Sequence, residues 1–163
     1  MTKDIKAMML TYKYEANKTN SHYTFDGINY MNHGDLMELA AKAAYGLEAR
    51  KDGNTRYDKG DDIPEFHASV KSANASIFNR KLGDDFISSL RVYLETVFSK
   101  EFWYVVDMDE EIHIYKMDLN EFAEFLSQFA KYNERCVLRL PRTTTSKMLS
   151  WLENKVQAMG KAI

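Results

Sequence analysis

Cys136 is the only cysteine in 163 residues, so no internal disulfide can form, which suits a reducing cytoplasm. Its neighbours Val137 and Leu138 imply a buried structural thiol, and nothing adjacent marks it as a nucleophile. Two prolines and seven glycines leave little room for a linker. The opening stretch MTKDIKAMMLTYKYEA holds only a short apolar run, well under a secretory h-region or the roughly 20 residues of a membrane span. Neither sign of charge dominates: 22 basic residues face 24 acidic ones, for a formal net charge of −2. A global basic signature for nucleic acid is therefore missing, although acidic metal ligands would offset phosphate-binding cations in such a total. There is no internal repeat, low-complexity tract, P-loop, dinucleotide fingerprint or nucleophile elbow. His22, His33 and His113 have no ligand-like spacing, which leaves zinc without support.

What remains is a globular composition, 45% hydrophobic and 13% aromatic, in a chain that can bury a real core as one domain over residues 1–163. The first 32 residues read as polar strands, with a hairpin turning at Asp26-Gly27. From Gly34 or Asp35 the apolar spacing becomes helical through Leu36, Leu39, Ala40, Ala43, Ala44 and Leu47, with Asp35 as the cap. Residues 51–62 form a charged loop or short hairpin, a strand runs to about Ser72, and SANASIFNRKLGDD adds a short strand and a turn. Asp84 or Asp85 then caps a helix that buries Phe86, Ile87, Leu90, Tyr93, Leu94, Val97 and Phe98. FWYVVDM and EIHIYKM are two strands joined at Asp109-Glu110, and Asp118 caps a helix with Phe122, Phe125, Leu126 and Phe129 inward. RCVLRLP is a further strand, and a closing helix follows Pro141. This order predicts an α/β or α+β fold, a mixed central sheet flanked by helices.

The stretch GDDIPEFHASVKS, residues 60–72, raises the functional question. Read as one strand, it places Glu65, His67, Ser69 and Lys71 on one face and Phe66, Ala68 and Val70 on the other, beside Asp61 and Asp62. An edge strand with one wet face would look the same.

Glu38, four residues after Gly34 on the first helix, then Asp62, then Lys71 on the strand, form a series that resembles the PD-(D/E)XK nuclease superfamily. Residues 34–72 carry the likeness, and the spacing from Asp62 to Lys71 with the VKS ending is closest to the mismatch-repair and GATC-cutting endonuclease branch. The resemblance implies a restriction-endonuclease-like core and a Mg²⁺- or Mn²⁺-dependent deoxyribonuclease. In it Glu38, Asp62 and Lys71 would be catalytic, with Ser69 as a weak fourth position, DNA as partner and a phage or mobile element as source. One position departs from the family: Ser69 stands where its second acid falls, which removes a charged metal ligand. Glu65 or His67 swinging in, Asp61 joining Asp62, or Glu38 taking more of the load would make up for it, so Glu38, Asp62 and Glu65 are the expected metal ligands. The alternative is a catalytically degraded protein of the same fold that binds DNA or protein, a host-defence protein among the candidates. A plain interaction domain with no site is the third reading.

The stretch RLPRTTTSK adds a candidate phosphate-binding segment with Arg139, Arg142, Thr144, Ser146 and Lys147, because hydroxyls and cations at a helix N-terminus suit an anion. An ordinary Ser/Thr-capped helix would carry the same residues. Arg50, Arg56, Lys59 and Lys81 would add backbone contacts, whereas Phe102, Trp103 and Tyr104 read as sheet core.

Overall fold

In the computed structural model, residues 8–19, 22–25, 27–30, 32–47, 61–78, 90, 94 and 99–159 are described. Ten strands are present among them: β1 (Met8–Lys13), β2 (Asn17–Thr19), β3 (His22–Phe25), β4 (Ile28–Tyr30), β5 (Ala68–Lys71), β6 (Ser76–Phe78), β7 (Glu101–Met108), β8 (Glu111–Met117), β9 (Lys131–Tyr132) and β10 (Leu138–Arg139). The helices are α1 (His33–Ala44), α2 (Leu119–Phe129) and α3 (Ser146–Met159), and Leu90 and Leu94 are also helical. The fold is mixed α/β, as its sequence implies.

A four-stranded mixed sheet in the order β1-β8-β7-β5 organises the molecule. β7 pairs antiparallel with β8 and parallel with β5, and β8 pairs antiparallel with β1. The uninterrupted apolar run of β7 follows from cover on both faces. Phe102, Tyr104 and Val106 join one core with Phe122, Phe125 and Leu126 of α2 and Met148 and Leu152 of α3. Trp103 and Val105 join the other core with Leu36, Met37, Leu39, Ala40 and Ala41 of α1. Fully burying one such large side chain contributes about 1.5–3 kcal/mol, so α1 is fixed chiefly by its apolar stripe. Lys116 of β8 lies on the α1 face too, its ammonium 4.1 Å from the ring centre of Tyr45 and 4.4 Å from that of Trp103. Burial lowers its pKa, an effect that nearby Glu101 opposes.

Two short sheets, β2-β3-β4 and β6-β10-β9, flank this core. The β3–β4 hairpin turns through Gly27 at φ 77°, where only glycine is free of Cβ strain. Asp109 and Glu110, both with positive φ, turn β7 into β8. Asp118 caps α2 by accepting from the Glu121 amide, and Phe122, Phe125 and Leu126 are buried as their spacing requires.

Several local expectations are corrected. Asn32, not Asp35, caps α1: its side chain accepts from the Asp35 amide at 2.8 Å and donates to the Asp35 carboxylate at 3.0 Å. The expected strand around residues 63–72 is only β5, because Pro64 starts a 3-10 turn over Pro64–Phe66 and His67 takes a left-handed conformation at φ 49°. Glu65 and His67 therefore leave the face that carries Ser69 and Lys71. Cys136 is exposed rather than buried: it lies at φ 58° in a turn that precedes β10, held by Asn133, whose side chain accepts from the amides of Arg135 and Val137. The turn shortens the RCVLRLP strand to two residues and pairs it with the unanticipated β9. The loop over 51–60, the caps Asp84 and Asp85, and Phe86, Ile87, Tyr93, Val97 and Phe98 lie outside the described residues.

Candidate active site

β5 is an edge strand, and Asp62 covers its free side. After Ile63 the chain doubles back through the Pro64–Phe66 turn, and the Asp62 and Ile63 amides both bond the Ala68 carbonyl at 3.0 and 3.1 Å. This fold-back brings the Asp62 carboxylate to the Val70 amide at 2.6 Å, where it accepts a bond that a sheet edge otherwise leaves to water. The Ser69 hydroxyl donates to the same oxygen at 3.4 Å. The Glu38 carboxyl group and the Lys71 charge both lie near enough to Asp62 to favour its ionised form. Residues 38 and 71 thus both bear on the Asp62 carboxyl group.

Burial raises the Asp62 pKa above the ordinary carboxylate value; the Val70 amide, Lys71, Glu38 and Ser69 pull it back only in part. Two adjoining carboxyl groups cannot both ionise cheaply, so they need a shared proton or a cation between them. Gly34 brings the start of α1 close to the end of β5, since a Cβ there would stand 4.0 Å from the Ser72 hydroxyl and 3.3 Å from the Asn32 side chain.

Asp61, the neighbour of Asp62, belongs elsewhere. It is buried, accepting from the Ser99 hydroxyl at 2.5 Å and pairing with His67 Nδ1 at 3.1 Å. It ties the turn to the start of β7, where the Lys100 and Glu101 amides bond the His67 carbonyl. Asp61 and His67 are therefore structural partners of each other rather than additions to the Glu38–Asp62 pair. Glu65 is exposed on the turn. Among the described residues no three His, Cys, Asp or Glu side chains gather as a metal-holding group, so Glu65 does not complete a triad with Glu38 and Asp62.

A cleft of about 960 Å³ opens beside Glu38 and Lys71, across the carboxyl ends of the parallel strands β5 and β7. Ligands favour that end of parallel strands because adjoining loops diverge there. The first turn of α1 forms one wall, with Glu38, and residues 139 and 142–144 form another. Arg139, Arg142 and Thr144 line this cleft with Lys71. Two sets of bonds hold that wall. The Arg139 guanidinium donates to the Ser76 hydroxyl at 2.7 Å and the Asn74 carbonyl at 2.8 Å, and the Asn74 amide donates to the Pro141 carbonyl at 2.6 Å. The Tyr104 hydroxyl meets the Thr144 hydroxyl at 2.7 Å, directly across from Lys71 in the β5–β7 register.

Ser146 and Lys147 are exposed on the first turn of α3 and do not line the cleft. The α3 cap is Thr145, whose hydroxyl accepts from the Met148 amide at 3.2 Å. The ordinary capping role thus accounts for part of the RLPRTTTSK segment. Arg50, Arg56, Lys59 and Lys81 lie outside the described residues.

Asp107, not anticipated from sequence, also lines the cleft and accepts a hydrogen bond from Tyr14. Burial and this carboxylate push the Tyr14 phenol well above its usual pKa, so it stays a donor. The signal was present in EFWYVVDM, where Asp107 breaks the apolar run at the carboxyl end of its strand.

The donor set fits a hard dication. Mg²⁺ takes oxygen ligands and is commonly held by one or two carboxylates, with waters and substrate phosphate completing its shell. The Glu38–Asp62 pair supplies two carboxylates whose proximity a cation would relieve, and Ser69 supplies a neutral oxygen. No protein-family model, curated protein or solved structure matches the chain.

Proposed function

We propose that this protein is a metal-dependent DNA phosphodiesterase of the PD-(D/E)XK type, with Glu38 and Asp62 holding Mg²⁺ or Mn²⁺ and Lys71 beside them. The observation that carries this is that Glu38 and Lys71, which both act on the half-buried Asp62 carboxyl group behind them, line a cleft whose opposite wall presents Arg139 and Arg142. A bound dication supplies charge stabilisation at the phosphate and lowers the pKa of a water it binds. Lys71 orients the attacking water and offsets developing negative charge. Arg139, already fixed by Ser76 and Asn74, and Arg142 grip phosphates next to the scissile one. A restriction-endonuclease-like core agrees with the order of α1, the Asp62–β5 fold-back, and a parallel β5–β7 pair. We place the protein in the cytoplasm of a cell that hosts a phage or mobile element.

Ser69 favours a second reading. Its buried hydroxyl donates to Asp62 where the family has an acid, so the site has two carboxylates rather than three. On that reading the same cleft binds DNA, or a host-defence protein, without cutting.

Plasmid nicking in Mn²⁺ separates the two. Wild type is expected to nick, Asp62→Ala to be inactive, and Lys71→Ala to be slower by about 10²–10⁴-fold. Equal cleavage by all three would trace the activity to a contaminant and remove the hydrolase. Salt-dependent DNA affinity with no cleavage by wild type would establish the binding protein instead.

A further inference from the structure

Arg139 and Arg142 also line a second cleft, of about 600 Å³, on the far side of the wall they form. Asn74, Arg139 and Arg142 border both cavities, so the two share a wall. Their chemistry differs. The first has Glu38, Asp35 and Asp107 among its lining groups, whereas among the described residues no acid lines the second. Its charges among the described residues are Lys131, Arg139 and Arg142, a cationic cluster in a chain of formal net charge −2. Such local clustering raises the concentration of a polyanion at the surface whatever the total charge.

The second cleft also has an aromatic component. Phe129 packs its ring against Phe125 at 5.3 Å and Trp151 at 6.3 Å, which makes it a fixed floor. Tyr132, half-buried in β9, follows the exposed Lys131 and is held by pairing with Leu138. Cations beside an aromatic face suit a nucleotide whose base is free to stack. Duplex DNA keeps its bases stacked on each other and would present only phosphates here.

We propose that this second cleft binds the unpaired DNA strand next to the cleavage point. Lys131, Arg139 and Arg142 take its phosphates, and Tyr132 stacks on a base. The inference rests on the nuclease reading for its link to a scissile phosphate. It makes the preferred substrate DNA with a single-stranded segment, such as a flap, gap or frayed end, rather than continuous duplex.

The test is fluorescence anisotropy in EDTA with a labelled single-stranded oligodeoxynucleotide, its duplex, and the matching single-stranded RNA. Tyr132→Leu is expected to weaken single-strand binding about ten-fold and leave duplex binding unchanged, and Tyr132→Phe to restore it. Lys131→Glu, at an exposed position that does not threaten folding, is expected to weaken binding and flatten its salt dependence. Single-strand affinity unchanged in Tyr132→Leu, an equal loss on duplex, failure of Tyr132→Phe to restore, or tighter binding of the RNA would each overturn the proposal. Because EDTA prevents hydrolysis, a failure here is distinct from a failure to nick plasmid, which would remove the hydrolase alone.

Discussion

Replacing Asp62 by Asn should abolish metal-dependent cleavage and, in the absence of metal, make the protein more stable at neutral pH. The folded-state pKa of Asp62 is raised by burial, so its ionisation opposes folding. A carboxyl with a raised folded pKa contributes stability that is fully present below its unfolded pKa of about 3.9 and is lost as pH rises through the folded value. Asn keeps an oxygen for the Val70 amide and the Ser69 hydroxyl, and loses the attraction to Lys71 together with the buried charge. Relief of such a site strain commonly stabilises by about 0.5–2 kcal/mol. For a chain of this size each kcal/mol shifts Tm by about 2–4 °C. Thermal unfolding in EDTA should therefore show Asp62→Asn melting above wild type, by a margin that widens from about pH 4 to pH 8. Saturating Mg²⁺ should reverse the order, since a ligand at 100 times its Kd stabilises by about 2.7 kcal/mol and the variant lacks one carboxylate to bind it. A variant less stable than wild type at both ends of the pH range would refute the reasoning, because Asp62 would then be an ordinary structural acceptor.

Ser69→Glu should raise the nicking rate and tighten Mn²⁺ binding measured by calorimetry, as it adds a third carboxylate beside Asp62; an unchanged or weaker affinity would deny that Ser69 is the missing ligand position. Asp61→Ala should lower Tm without entering the chemistry, because it leaves the buried Ser99 hydroxyl unpaired at a cost of about 1–3 kcal/mol. Cleavage per folded molecule should survive that change, and its loss would place Asp61 in the site. Tyr104→Phe should cost about 1 kcal/mol and weaken DNA binding, since Thr144 loses its anchor on the sheet; unchanged DNA affinity would separate this wall from the substrate.

The central sheet was legible because its strands obey period and length: β7 and β8 appear where apolar runs meet a two-residue acidic turn, and α2 begins at its Asp118 cap. Glu38, Asp62 and Lys71 can be picked out from the sequence by spacing, and Asp62 and Lys71 stand on either side of the fold-back at Pro64–Phe66. Around Glu65 and His67 the polar–apolar alternation runs on through Pro64, whose fixed φ and missing amide favour a turn instead. Asp61 and Asp62 look equivalent in sequence, and only the sheet edge separates them: one faces Ser99 and His67, the other Val70. Arg139, Arg142 and Thr144 reach the cleft through the pairing of β6 with β10, a long-range contact that no local pattern encodes.

The most direct measurement is an anomalous difference map from a crystal soaked in Mn²⁺. A peak bridging the carboxylates of Glu38 and Asp62, beside Lys71, is the predicted result. A map with no peak there would contradict a metal-dependent site.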